Sequence, residues 1–155
     1  MSTPATIYGS IVVGTDGSSR AGVAVQEALA LAKATGAKLH LVQVVEPGVS
    51  TRFANDYSGQ LAVDAKLEGV DNVSKGLLDA AEREGVPSEI HTPTGNPADA
   101  LIEVAEATDA DLIVVGNRGM SGAKRFVLGS VPNSVSHKSP CSVLIVNTDR
   151  SESEI

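Results

Sequence analysis

Two glycine-bearing segments of this chain carry the residue types needed to hold a phosphate group. The longer one begins Gly116-Asn117-Arg118-Gly119 and, after nine intervening residues, reaches Gly129-Ser130-Val131. Glycine takes positive φ without strain and places no Cβ between the backbone and a ligand. Gly116 and Gly119 can therefore curl so that successive N–H groups point inward at an anion. Gly129-Ser130 reads as the opening of a helix, whose first N–H groups have no partner inside the helix and stand at its positive dipole end. The Ser130 hydroxyl adds a donor, and each hydrogen bond to a charged group contributes roughly 1.5–3 kcal/mol net. The second segment is Gly14-Thr15-Asp16-Gly17-Ser18-Ser19. A carboxylate beside phosphates repels them unless a metal bridges the two or the carboxylate turns to the sugar. Asp16 is therefore read as a contact to a sugar or a divalent metal carried by the phosphate ligand, or alternatively as a helix cap, a role Ser18 and Ser19 could also fill.

Other chemistries lack their residues. No G-x₄-G-K-[ST] segment is present, and no G-x-G-x-x-G follows the first apolar run, which argues against a Walker-type NTPase and a dinucleotide site. Gly119-Met120-Ser121-Gly122-Ala123 misses the hydrolase G-x-S-x-G pattern at its last position. His40, His91 and His137 fall in different predicted elements without paired-ligand spacing, so each is read as a surface or structural histidine and no resident metal is expected. Cys141, the single cysteine, reads as a small buried hydrophobe. Lys124 and Arg125 are either phosphate contacts or solvated loop charges.

Strands alternate with helices along the chain, and this alternation is what must position the glycine segments. Ile11-Val12-Val13 is a β-branched run ending at the first segment. Val25, Ala28, Leu29 and Ala32 recur at helical spacing between Ala21 and Thr35, with Gly36 placed to stop that helix. A second strand is expected over Lys38 to Val45, then a polar connection over 46–58, then a helix from about Gln60 to Glu84 stopped by Gly85. A third strand is expected from Val86 to about Thr92. Asn96 and Pro97 are an N-cap and first-turn proline for a helix over Ala98 to Thr108. Asp111 to Val115 reads as a buried strand, a short helix runs to about Ser139, and Cys141 to Asn147 is the last strand. This order predicts an α/β, three-layer domain built on a parallel sheet, with ligands bound outside the carboxyl ends of its strands. One domain is expected over 1–148, with a polar tail over 149–155.

Composition bounds the partners. The chain has 155 residues, 42% hydrophobic, 20% charged and only 3% aromatic, with no tryptophan, so a core of Val, Leu, Ile and Ala is expected. A net charge of −7 is the wrong sign for a general nucleic-acid or anionic-membrane binder. Met1 to Thr6 carries no basic and apolar signal pattern, and the apolar runs are strand-length, so a cytoplasmic location is expected.

The pattern G-x₂-G-x₉-G-S, together with IVVGTDGS, DLIVVGNRG and PCSVLIV, resembles the universal stress protein family in its ATP-binding form. The resemblance covers nearly the whole chain. It implies a five-stranded parallel sheet of order 3-2-1-4-5, a Rossmann-like fold of the adenine nucleotide alpha hydrolase kind. It implies that Gly116, Asn117, Arg118, Gly119, Gly129, Ser130 and Val131 wrap phosphates and ribose. Gly14, Thr15 and Asp16 would lie beside the nucleoside, and Val44 would offer backbone groups to adenine. The implied ligand is ATP, with Mg²⁺ or Mn²⁺ as companion, and AMP or cyclic AMP as alternatives. A homodimer through Val143 to Val146 is also implied, although Ser142 stands where relatives often have proline. The reading is a nucleotide-dependent stress sensor, with the 46–58 connection as its moving part. Slow ATP hydrolysis or autophosphorylation at Ser130, Ser121 or Thr15 ranks second because no general base is poised for water. A nucleotide-free dimerisation adaptor is the third reading.

Overall fold

The computed structural model describes residues 7–16, 19–44, 75–117 and 128–148. Five strands, β1 (Ser10–Thr15), β2 (Lys38–Gln43), β3 (Ser88–His91), β4 (Leu112–Gly116) and β5 (Ser142–Val146), form one sheet in the order β3-β2-β1-β4-β5. Every neighbouring pair is parallel. Four helices are described: α1 (Ser19–Thr35), a stretch over 75–83 (α2), α3 (Pro97–Ala107) and α4 (Ser130–Lys138). Strand order reverses beside β1, so the carboxyl ends of β1 and β4 diverge into a crevice.

Period-two alternation divides the core between the sheet's two faces. Ile11, Val13, Leu39, Leu41, Leu112 and Val114 point to one face, where Ala24, Ala28 and Ala32 of α1 and Ala81 of α2 cover them. Val12, Val42, Ile113 and Val115 point to the other and meet Ala98, Leu101, Val104 and Ala105 of α3 and Val135 of α4. The alanine stripe of α1 lets that helix lie close to the sheet without aromatic filling.

The helix ends follow from local chemistry. Gly36 and Gly85 both take φ of 74°. In each case the next residue donates back five positions, Ala37 to the Ala32 carbonyl at 3.0 Å and Val86 to the Ala81 carbonyl at 2.9 Å. α3 closes in the same way without glycine: Asp109 takes φ of 50°, and the Ala110 N–H reaches the Ala105 carbonyl at 2.9 Å. Aspartate is one of the few residues that tolerates this conformation. At the other end of α3, the Asn96 side chain accepts from the Asp99 N–H at 3.2 Å, with Pro97 in the first turn.

Several expected boundaries shift. β2 ends at Gln43 rather than Val45, β3 begins at Ser88 rather than Val86, and β5 is confined to Ser142–Val146. Asp111 is not a strand residue; its Oδ2 accepts from the N–H groups of Gly9 at 2.7 Å and Ser10 at 3.0 Å, tying the start of β1 to the start of β4. Cys141 precedes β5 and is half-buried rather than buried. The 46–58 connection, the first part of the helix expected from Gln60, and the 149–155 tail lie outside the described residues. No helix among the described residues is long and apolar enough to cross a membrane.

Candidate functional site

The crevice at the carboxyl ends of β1 and β4 is a cleft of about 520 Å³. Its base is set by a close approach. A Cβ on Gly14 would come within 3.1 and 3.2 Å of the Leu101 methyl carbons, so glycine at this place in β1 lets α3 seat Leu101 against the strand. Val42 from β2 and Val115 from β4 give the cleft apolar walls, while Thr15, Asp16 and Gly116 supply polar groups at the strand ends. Asp16 is exposed and lines the cleft.

Opposite these strand ends stands the start of α4. Gly129, extended at φ −61° and ψ 164°, is its N-cap. The Gly129 N–H is taken by the Asn117 carbonyl at 3.0 Å, and the first intrahelical bond runs from the Asn133 N–H to the Gly129 carbonyl at 3.1 Å. Between them lie Ser130, Val131 and Pro132, and proline has no N–H to offer. The backbone donors of this turn that face a ligand are therefore two, Ser130 and Val131, both in the cleft lining. No lysine or arginine stands among the described lining residues. What the described cleft offers an anion is consequently oriented amides rather than charged side chains.

Asn117 does something the glycine pattern does not announce. Its N–H donates to the Val146 carbonyl at 2.9 Å, its carbonyl accepts from Gly129, and its Oδ1 accepts from the Thr148 N–H at 3.1 Å and the Thr148 hydroxyl at 2.9 Å. Asn117 thus locks the end of β4 to the end of β5 and to the start of α4, and Thr148 is buried beneath it. It is not among the residues lining the cleft.

Of the residues predicted from sequence, Gly14, Thr15, Asp16, Gly116, Gly129, Ser130 and Val131 come together around the cleft. Val44 is half-buried against the α3–α4 core, and Val42, two residues earlier, forms the wall instead. Arg118 and Gly119 lie outside the described residues, as do Ser121, Lys124 and Arg125. Sequence reasoning missed Asn96, Pro97 and Leu101 as lining, although the N-cap and first-turn proline had already placed the start of α3 at this end of the sheet. It also missed a meeting of histidines: His40 Nδ1 and His91 Nε2 lie 3.0 Å apart, although 51 residues separate them in the chain.

Comparison with known proteins agrees with this geometry. The universal stress protein family matches the chain over residues 7–147. The chain belongs to the universal stress protein family. A universal stress protein of Mycobacterium tuberculosis is 38% identical over 145 residues, covering 91% of this chain and 97% of its own length. The universal stress protein YxiE of Bacillus subtilis is 33% identical over 148 residues, covering 90% and 99%. Among solved structures, a universal stress protein in complex with cAMP is 34% identical, has a TM-score of 0.68 and covers 91% of this chain and 98% of its own. The five-stranded parallel sheet of order 3-2-1-4-5 is thus that of a universal stress protein.

Proposed function

We propose that this universal stress protein binds an adenine nucleotide in the cleft between β1, β4 and α4, and acts as a nucleotide-dependent sensor. The observation that carries the reading is the start of α4, whose Ser130 and Val131 line a 520 Å³ cleft with apolar walls. A volume of this size falls in the ordinary range for small-ligand sites, roughly 300–1,000 Å³. Phosphate oxygens accept from the two amides and the Ser130 hydroxyl. Val42 and Val115 provide apolar surface for the base or sugar, and Asp16 contacts ribose hydroxyls or a divalent ion carried by the phosphates. The relative solved with cAMP supports the adenine assignment. ATP is the favoured ligand because the G-x₂-G-x₉-G-S pattern resembles the ATP-binding form of the family.

Among the described residues β5 ends the sheet, and this edge supports a homodimer through Val143 to Val146. β5 is an edge strand whose Val143, Leu144 and Ile145 are each only half-buried, which leaves apolar surface and backbone groups for a second copy.

Calorimetric titration of chelator-treated, nucleotide-stripped protein with ATP, AMP and cyclic AMP tests the reading, with Mg²⁺ present and absent. Saturable binding of one nucleotide per chain, strongest for ATP, is expected. Absence of binding to all three ends the proposal; preference for cyclic AMP keeps the cleft and replaces the ligand.

A further inference from the structure

We propose that His40, Glu89 and His91 form a binding site for a divalent transition-metal ion of the zinc class on the β2–β3 flank of the sheet. The site follows from strand register. β2 and β3 pair in parallel, with His40 opposite Glu89 and Val42 opposite His91. Glu89 and His91 are two residues apart on one strand, so their side chains leave the same face, the one His40 also uses. Their ligand atoms all lie within 4.8 Å of one another. His40 Nδ1 is 3.0 Å from His91 Nε2 and 3.9 Å from Glu89 Oε2. Bonds of about 2.0–2.2 Å in a tetrahedral site place donor atoms about 3.3–3.6 Å apart. The His40–His91 and His40–Glu89 separations each lie about 0.3 Å outside that range, and the His91–Glu89 pair, within 4.8 Å, closes as the exposed Glu89 side chain turns inward.

The donors suit this class of ion. Two imidazoles and one carboxylate are a zinc-type set with a coordination position left for water. The three differ in depth: His40 is 4% exposed, His91 is half-buried and Glu89 is exposed. One ligand is thus fixed in place and two face the side from which an ion would enter. The Lys38 ammonium, 3.1 Å from Glu89 Oε2, competes for the carboxylate. That pair is surface-exposed on both sides, and such pairs contribute only about 0–1 kcal/mol, so a cation displaces it at little cost.

A simple inter-strand hydrogen bond between the two imidazoles is the rival explanation, and it demands no metal affinity. Titrating nucleotide-free, chelator-treated protein with Co²⁺ by absorption, and with Zn²⁺ by calorimetry, separates the two. Omitting nucleotide keeps the outcome independent of the cleft. One ion per chain is expected, with the ring-nitrogen NMR signals of His40 and His91 shifting together. His91→Ala and Glu89→Gln should each weaken binding at least about tenfold, while His137→Ala, on the exposed side of α4, should leave it unchanged. His40→Ala is avoided as the main test because a buried ring is removed. No binding at about millimolar ion, or binding indifferent to His91→Ala and Glu89→Gln, overturns the site.

Discussion

At the carboxyl ends of β1 and β4 the groups available to a ligand belong mainly to the backbone. Gly14 is bare so that Leu101 can approach, Gly129 caps α4, and Pro132 leaves Ser130 and Val131 as the backbone donors of the first turn of α4. On the β2–β3 flank the available groups are side chains: two imidazoles and a carboxylate, gathered by register from strands far apart in sequence. The first region is tight at Gly14 but needs few particular side chains. The second depends wholly on three side chains and on the parallel pairing that aligns them. Each region should therefore respond to a different kind of change.

The largest effect is expected at the wall shared by the core and the cleft. Leu101 is 2% exposed and packs with Val12, Ile113 and Val135 while lining the cleft. Leu101→Ala should lower stability in urea by about 2–5 kcal/mol and also weaken nucleotide binding. Loss of stability without change in binding would detach the cleft from the core that shapes it.

Next comes a change confined to the backbone donors. Ser130→Pro removes an amide and a hydroxyl from the first helical position, where proline is well accepted. Gly129 already has the extended conformation that a residue before proline needs. Two charge-assisted bonds at roughly 1.5–3 kcal/mol each should cost ATP at least about 100-fold in Kd. The unfolding midpoint and helical circular dichroism should not move. Equal affinity in the variant would remove the start of α4 from the site.

The smallest effect is a pH dependence of the flank. His40 has a pKa below the ordinary histidine value of 6.5, lowered first by burial and then by His91 and Lys38, against the opposing pull of Glu89. Below pH 6.5 the unfolded chain takes up a proton at this position before the folded one does. Metal-free protein should accordingly lose stability as pH falls from 6.5 toward the lowered pKa, at no more than about 1.4 kcal/mol per pH unit. Above 6.5 His40 should contribute no slope. Denaturant midpoints across that range should show the bend, and His40→Gln should remove it.

The same contrast explains what was legible in the sequence. Apolar runs alternating with helical spacing gave the element order, and the G-x₂-G-x₉-G-S pattern marked the cleft, because backbone chemistry is written in local residue types. Gly36 and Gly85 were readable as helix stops for the same reason, whereas the equivalent stop at Asp109 was not, since nothing local distinguishes it from an ordinary loop aspartate. Val44 was expected to offer backbone groups to adenine; its side chain is half-buried against the α3–α4 core, and Val42, on the same face of the chain, lines the cleft. Asn117 belonged visibly to the glycine segment, yet its role as a clamp depends on Thr148, which only the pairing of β4 with β5 brings near. His40 and His91 looked unrelated because sequence spacing carries no information about register between β2 and β3.

The most direct test of nucleotide binding at the start of α4 is an amide ¹H–¹⁵N titration of the chelator-treated protein with ATP and Mg²⁺. Ser130, Val131 and Gly116 should shift together and saturate with one nucleotide per chain, while the amides of His40 and His91 stay in place. Saturation that leaves Ser130 and Val131 unmoved would contradict the assignment, since the nucleotide would then be held elsewhere on the protein.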